Sequence, residues 1–182
     1  MRIVGGRWRR RHLAFPETKG LRPTPDRVRE TLFNWLGQDL TGLACLDLFA
    51  GSGALGFEAA SRGAARVVMV DNDAAVVAAL RANAEVLGTA GLEIVGADAL
   101  QFAAATGGGY DVLFLDPPYR LGLLERLTPL LPSLMNAGNA DAVIYAEAEA
   151  PLAALGAWSV WRRGKAGQVF YHLLRRGEVH AE

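Results

Sequence analysis

An open, mostly parallel α/β sheet with helices on both faces is the fold class this sequence predicts. Two observations predict it. The strand segments are continuously apolar rather than alternating, as strands covered on both sides must be, and segments with helical patterning and legible ends lie between them.

The elements follow in order. Residues 1–23 are rich in arginine and predict irregular structure or short strands. They include Ile3-Val4-Gly5-Gly6, a Gly-Gly turn, followed by Arg7-Trp8-Arg9-Arg10-Arg11, an aromatic ring set among cations. A helix follows, with Thr24 as its N-cap, Pro25 at its first position and Gly37 as its stop. Val28, Leu32, Trp35 and Leu36 form its apolar stripe, and Arg27 and Arg29 lie off it.

Residues 43–49 predict a strand, and 54–62 a helix ended by Gly63. A second strand at 66–70 closes on Asp71. Asp73 caps a helix that runs to Leu87 and stops at Gly88. Residues 92–95 predict a third strand, 99–105 a short helix and 111–115 a very apolar fourth strand. Residues 121–136 are helical but interrupted by Pro129 and Pro132. Residues 142–146 predict a fifth strand. Residues 158–161 and 168–174 predict a hairpin around Gly164-Lys165-Ala166-Gly167, adding an antiparallel strand at one edge.

The 182 residues suffice for one domain, here a basic extension and helix (1–37) followed by the core (38–182). No apolar run approaches the roughly 20 residues that span a bilayer, and no apolar segment follows the basic start as in a signal peptide. The expected location is the cytoplasm, with no membrane partner. Cys45 is the one cysteine, which excludes an internal disulfide and a cysteine zinc site; it reads as a buried thiol. His12, His172 and His180 have no spacing suited to a metal or a triad, so no metal is expected. Net charge is zero but unevenly spread. Residues 1–30 hold nine basic and three acidic side chains, and the remaining 152 hold ten and sixteen. A basic arm on an acidic body points to a polyanionic partner.

In such sheets ligands bind at the carboxyl ends of the strands. Asp47, Asp71, Asp98 and Asp116 all follow apolar strand segments. Asp47-Leu48-Phe49-Ala50-Gly51-Ser52-Gly53-Ala54-Leu55-Gly56 leaves the first strand and enters a helix, and Gly51, Gly53 and Gly56 make a GxGxxG pattern. That pattern alone also suits a dinucleotide. Asp47 shifts the balance. A carboxylate here repels a pyrophosphate, whereas S-adenosylmethionine presents an ammonium and a sulfonium that a carboxylate favours. The candidate cofactor set is Asp47, Phe49, Ala50, Gly51, Ser52 and Gly53 at this turn, Asp71 for the ribose hydroxyls, Asn72 beside the adenine, and Asp98 with Ala99 for the adenine amino group. Asp98 also reads as a helix N-cap, and both roles can hold together.

Asp116-Pro117-Pro118-Tyr119 ends the fourth strand. Consecutive prolines cannot continue a central strand and restrict the residue before them, so the exit is rigid and leaves carbonyls free. An aromatic amine is a poor nucleophile because its lone pair is delocalised. Two acceptors, the Asp116 carboxylate and the Pro117 carbonyl, can hold both of its N–H groups and aim the nitrogen at a methyl carbon. Tyr119 offers a face for the base to stack on. A base in a helix must be extruded to reach such a pocket, at a cost of roughly a few kcal/mol.

With these motifs in place, the chain resembles the bacterial 16S rRNA guanine-N2 methyltransferases of the RsmD family over nearly its whole length. The resemblance rests on Arg2-Ile3-Val4-Gly5-Gly6 with Trp8-Arg9, on Leu21-Arg22-Pro23-Thr24 continuing through Asp26-Arg27-Val28-Arg29-Glu30-Thr31-Leu32-Phe33-Asn34-Trp35-Leu36, on Leu46 to Gly56, on the Asp-Pro-Pro-Tyr set and on Ala166-Gly167-Gln168-Val169. It implies a Rossmann-like class I methyltransferase with a seven-stranded sheet ordered 3-2-1-4-5-7-6. It also implies S-adenosyl-L-methionine as cofactor, S-adenosyl-L-homocysteine as product, and N2 methylation of one guanine in 16S rRNA, with the small ribosomal subunit as partner; a monomer is expected. Arg22 and Thr24 would then lie near the methionine end of the cofactor and the target base. Arg7, Arg9, Arg10, Arg11, Arg22, Thr24 and Arg27 form the candidate RNA-binding set. Some relatives carry Glu where this chain has Asp71, and Asn where it has Asp98; either residue can serve. No separate recognition domain is expected, and specificity is then expected to come from the arm, the loops or the shape of the particle. The alternatives are an adenine-N6 DNA or a glutamine-N5 protein methyltransferase, which commonly carry Asn in place of Asp116. More distant are an NAD oxidoreductase and a non-enzymatic RNA-binding module.

Overall fold

Strands β1 (Ala44–Asp47), β2 (Arg66–Asp71), β3 (Leu92–Gly96), β4 (Val112–Leu115) and β5 (Val143–Ala148) run parallel. Their central members are apolar on both faces and can be buried only between two helical layers. The computed structural model describes residues 1–15, 24–88 and 90–177. Three antiparallel strands, β6 (Ala154–Leu155), β7 (Trp158–Ala166) and β8 (Val169–Arg176), extend one edge, and the order is β3-β2-β1-β4-β5-β8-β7-β6. This is the expected 3-2-1-4-5-7-6 path with one strand more. The addition, β6, is two residues long and too short to show a pattern. The hairpin strands also run longer than expected, with a bulge between Val160 and Arg162 that lets β7 twist along the edge.

Successive strand residues alternate between two cores. Cys45, Val67, Val112, Phe114 and Tyr145 face one side, beneath α1 (Asp26–Leu36), α2 (Ala54–Ser61) and α3 (Ala74–Leu87). Leu46, Val68, Leu113 and Ile144 face the other, beneath α4 (Ala99–Ala105), α5 (Leu123–Leu127) and α6 (Leu131–Leu134). The Cys45 thiol is wholly buried, and burial pushes its pKa up, so it is inert packing. Pro129 and Pro132 do not kink one helix. Each opens a new short segment, a 3-10 turn at Thr128–Leu130 and then α6, where a missing N–H costs nothing. No described helix is long and apolar enough to cross a membrane.

The basic extension folds back as a tight loop, with Ile3 N–H donating to the Arg11 carbonyl at 2.9 Å and Arg10 N–H to the Ile3 carbonyl at 2.9 Å. A buried carboxylate fastens it down. Glu58, on α2 and fully buried, accepts from Val4 N–H at 3.0 Å and Gly5 N–H at 2.6 Å. It also pairs with Arg29 at 3.3 Å and Arg62 at 2.9 Å. Arg29, expected off the stripe, is therefore buried: its neighbours leave it no route to water, and its charge is met by Glu58 and Asp26. The start of α1 also differs from expectation. Pro25, in an extended conformation, occupies the N-cap position and Asp26 begins the helix. The Thr24 hydroxyl caps nothing locally, because it is drawn to Glu147 across the chain at 3.5 Å.

Candidate active site

Strand order brings five acids to one rim. Asp98 follows β3, Asp71 ends β2, Asp47 ends β1, Asp116 follows β4 and Glu147 is the penultimate residue of β5, and these five strands are consecutive neighbours in the sheet.

The turn after β1 is held by Ala50 N–H to the Val70 carbonyl at 2.9 Å and Gly53 N–H to the Ala50 carbonyl at 2.7 Å. Gly53 has φ +75°, and a Cβ there would sit 2.5 Å from the Phe57 ring, so only glycine fits. Ser52 is buried beneath the turn. Asp71 braces it, accepting from Gly51 N–H at 2.9 Å through Oδ2 and from Asp73 N–H at 2.9 Å through Oδ1. Asn72 is exposed beside it. Asp98 caps α4, with Gln101 N–H donating to Oδ1 at 2.9 Å, and Ala99 is buried at the first turn.

Asp47 is 1% exposed. Burial pushes its carboxyl up to about 7, against the lowering effect of the Phe49 and Gly56 N–H groups, and Asp71 and Glu147 add to the rise. Its Oδ1 is buried with no hydrogen-bond partner among the described residues. An orphaned carboxylate oxygen under a glycine turn is an electrostatic socket for a cation.

Asp116 leaves β4 beside Glu147. Phe114 pairs in register with Tyr145, and Leu115 with Ala146, so the next residues are neighbours on the same face. Burial raises the Asp116 carboxyl well above its ordinary range, and Glu147 and then Asp47 raise it further. Pro117 is buried, while Pro118 and Tyr119 are exposed. The Tyr119 hydroxyl is pushed up to about 12, by burial first and then by Asp116. Glu147 escaped the sequence reading. Its Oε1 accepts from Tyr145 Oη at 2.8 Å and from Thr24 Oγ1 at 3.5 Å, and burial raises its pKa. The signal was available: like Asp116, it is an acid at the carboxyl end of an apolar strand. Among the described residues, Asp47, Asp116 and Glu147 take part in no ion pair. A cavity of about 360 Å³ lies at the other end of the sheet, lined by Trp35, Asp111, Trp161 and Arg175. It shares no residue with this rim, so the rim stands out by its chemistry rather than its concavity.

A family profile described as conserved hypothetical protein 95 matches residues 1–175. The chain is 47% identical to ribosomal RNA small subunit methyltransferase D of Escherichia coli K12, over 100% of this chain and 94% of the relative. It belongs to the RsmD family. The namesake from Haemophilus influenzae is 40% identical, over 95% of this chain and 92% of its own. The solved yhhF methyltransferase structure from Escherichia coli superposes with a TM-score of 0.87 at 45% identity, covering 97% and 98% of the two chains. An RNA methyltransferase from Salinibacter ruber, solved with S-adenosyl-L-homocysteine, shares the fold at 22% identity, TM-score 0.63, covering 88% and 97%.

Within this RsmD family chain, the arm cations are distributed over the extension. Arg7 stacks over Trp8 at 4.3 Å, and Arg9 and Arg10 are exposed, Arg10 with φ +70°. Arg11 is also exposed and reaches the Val86 carbonyl at 3.4 Å. Arg27 is exposed on α1, and Arg22 lies outside the described residues. Thr24 is drawn into the rim through Glu147, whereas the arm cations are not.

Proposed function

We propose that this chain transfers a methyl group from S-adenosyl-L-methionine to the exocyclic N2 of a guanine in 16S rRNA, with the small ribosomal subunit as substrate and a monomer as the working unit. One observation carries the reading: the rigid Asp116-Pro117 acceptors follow the strand next to a buried Asp47 carboxylate whose Oδ1 has no hydrogen-bond partner among the described residues. The name of the curated relatives, ribosomal RNA small subunit methyltransferase D, supports it.

The residues present fit the cofactor. Asp47 Oδ1 accepts from its ammonium, and Phe49, Ala50, Gly51, Ser52 and Gly53 form the turn that borders it. Asp71, already oriented by two backbone N–H groups, takes the ribose hydroxyls. Asn72, Asp98 and Ala99 flank the adenine. A pyrophosphate would meet the buried Asp47 charge head-on, which disfavours a dinucleotide. When bound, the cofactor supplies an electrophilic methyl group. Asp116 and the Pro117 carbonyl hold the two amino hydrogens, so that the nitrogen lone pair points along the line of displacement. Tyr119, exposed at the mouth, stacks on the extruded base. Arg7, Arg9, Arg10, Arg11, Arg22 and Arg27 meet the RNA backbone, and Thr24 borders the base pocket.

The test is methylation of small subunits from a strain lacking the enzyme, with nucleosides from the digested product separated by chromatography and the position mapped by mass spectrometry. N2-methylguanosine at one position is expected. N6-methyladenine, or methylation confined to protein, overturns the reading. Asp116→Ala should lower kcat by roughly 10²–10³-fold while S-adenosylhomocysteine binding survives; equal loss of both would mean that Asp116 belongs to the cofactor site.

A further inference from the structure

We propose that the β7–β8 hairpin is a second RNA-contacting surface, which holds backbone phosphates on the far side of the rim from the basic arm. This rests on the RNA substrate proposed above.

Residues 158–176 carry five cations, Arg162, Arg163, Lys165, Arg175 and Arg176, and no carboxylate, within a body that is otherwise acidic. Beyond residue 30 the chain has five other cations. Of these, Arg62, Arg66 and Arg120 are tied into ion pairs and Arg81 reaches the Ile94 carbonyl. None of the hairpin's five takes part in an ion pair among the described residues. Arg126, on α5, is the fifth; of the seven cations beyond residue 30 that take part in no ion pair among the described residues, five lie on this one edge.

The cations are also presented rather than loose. Arg162, Arg163, Lys165 and Arg176 are exposed. Trp161, at the bulge and 41% exposed, has Arg175 at 3.3 Å and Arg162 at 4.3 Å from its ring centroid. Lys165 lies 4.8 Å from the Phe170 ring and Arg176 5.5 Å from Trp158. Stacking restrains a guanidinium but leaves its N–H edge free for a phosphate.

Register places Arg163 and Lys165 at the end of the sheet that carries the reacting groups, whereas Trp161 and Arg175 line the cavity at its other end. Lys165 pairs with Phe170 and Gly164 with Tyr171, and across β8 these face Ala148 and Glu147 of β5. Lys165 therefore stands two strand spacings, roughly 10 Å, from the strand that carries Glu147. The basic arm docks on α2 and α3, toward the β1–β3 half of the sheet. The two positive surfaces flank the rim, as needed to hold an RNA on both sides of an extruded nucleotide.

A competing explanation is edge protection, since β7 is bordered only by the two-residue β6 and charged side chains discourage edge-to-edge pairing. The two explanations predict different measurements. Full-length wild type and an Arg162→Gln/Arg163→Gln/Lys165→Gln variant are titrated with naked 16S rRNA and with small subunits between 50 and 200 mM salt. Each lost phosphate contact removes roughly 0.7–0.9 from the slope of log K against log salt, so the slope should fall by about 2–3. KM for subunits should rise, with kcat and S-adenosylhomocysteine affinity unchanged. An unchanged slope and KM overturn the proposal, and self-association of the variant with wild-type RNA affinity assigns the charges to edge protection. Normal affinity for naked rRNA with loss of subunit binding overturns it in favour of a ribosomal protein. If the triple variant misfolds, Lys165→Gln alone should lower the slope by roughly 0.7–0.9, and no change sinks the proposal. Wild type that binds neither rRNA nor subunits would refute the RNA substrate itself, a different result from any of these.

Discussion

Lowering the pH from 8 to 6 protonates Asp47 in the free protein, and the affinity for S-adenosylhomocysteine should fall with it. The ligand's amino group stays cationic throughout this range, whereas Asp47, with its carboxyl pushed up to about 7, passes from mostly charged to mostly neutral. If only the carboxylate form binds, the apparent Kd rises about tenfold between pH 8 and pH 6, or about 1.4 kcal/mol. The carboxyl of Asp47 is raised above its unfolded value of 3.8, so its contribution to stability is fully present below that value and is lost as pH rises through about 7. The free protein is therefore penalised at pH 8, and the ligand should raise Tm more at pH 8 than at pH 6. Calorimetric titrations at pH 6, 7 and 8, in buffers of differing ionisation heat, measure both affinity and proton release. Asp47→Asn should bind weakly with a flat profile. Wild-type Kd values within twofold across the range, or the same slope in Asp47→Asn, would refute the reasoning.

Two further substitutions probe the frame around the rim. Glu58→Gln leaves the buried Arg62 without its counter-charge and Arg29 with Asp26 alone, and should cost about 3–5 kcal/mol in urea unfolding; a loss below about 1 kcal/mol would show the network is dispensable. Glu147→Gln removes the negative neighbour that helps to hold the Asp116 carboxyl up, so the acidic limb of the kcat profile should move to lower pH with S-adenosylhomocysteine affinity little changed. An unmoved limb would remove Glu147 from the site.

How much was legible in the sequence depended on how local each cause was. Asp47, Asp71 and Asp116 could be read because each follows an apolar strand and the reason for its position is a few residues away. Asp73 and Asp98 cap their helices through N–H groups two or three residues on, as their local patterns suggest. Misses came where the partner is distant. Arg29 looks like a solvated cation until Glu58, 29 residues later, is brought against it. Thr24 has every local mark of a cap, but a carboxylate 123 residues away takes its hydroxyl. Glu147 follows the same rule as Asp116 and lacks only a conspicuous motif around it. His172 shows the opposite case: a histidine at an inner strand whose two ring nitrogens serve the Leu152 N–H and the Ala146 carbonyl, a wholly structural use.

The buried Glu58 also limits how this chain can be re-engineered. The segment that carries Arg7 to Arg11 is not a detachable tail. Its backbone ends on a carboxylate inside α2, and α2 begins at the glycine turn that borders Asp47. Transplanting the arm to another scaffold would require moving Glu58, Ser61, Arg62 and Arg29 with it, and with them the helix that sets the turn. Swapping arms between homologues to change which RNA is gripped should therefore fail unless α1 and α2 are exchanged with the arm as one block.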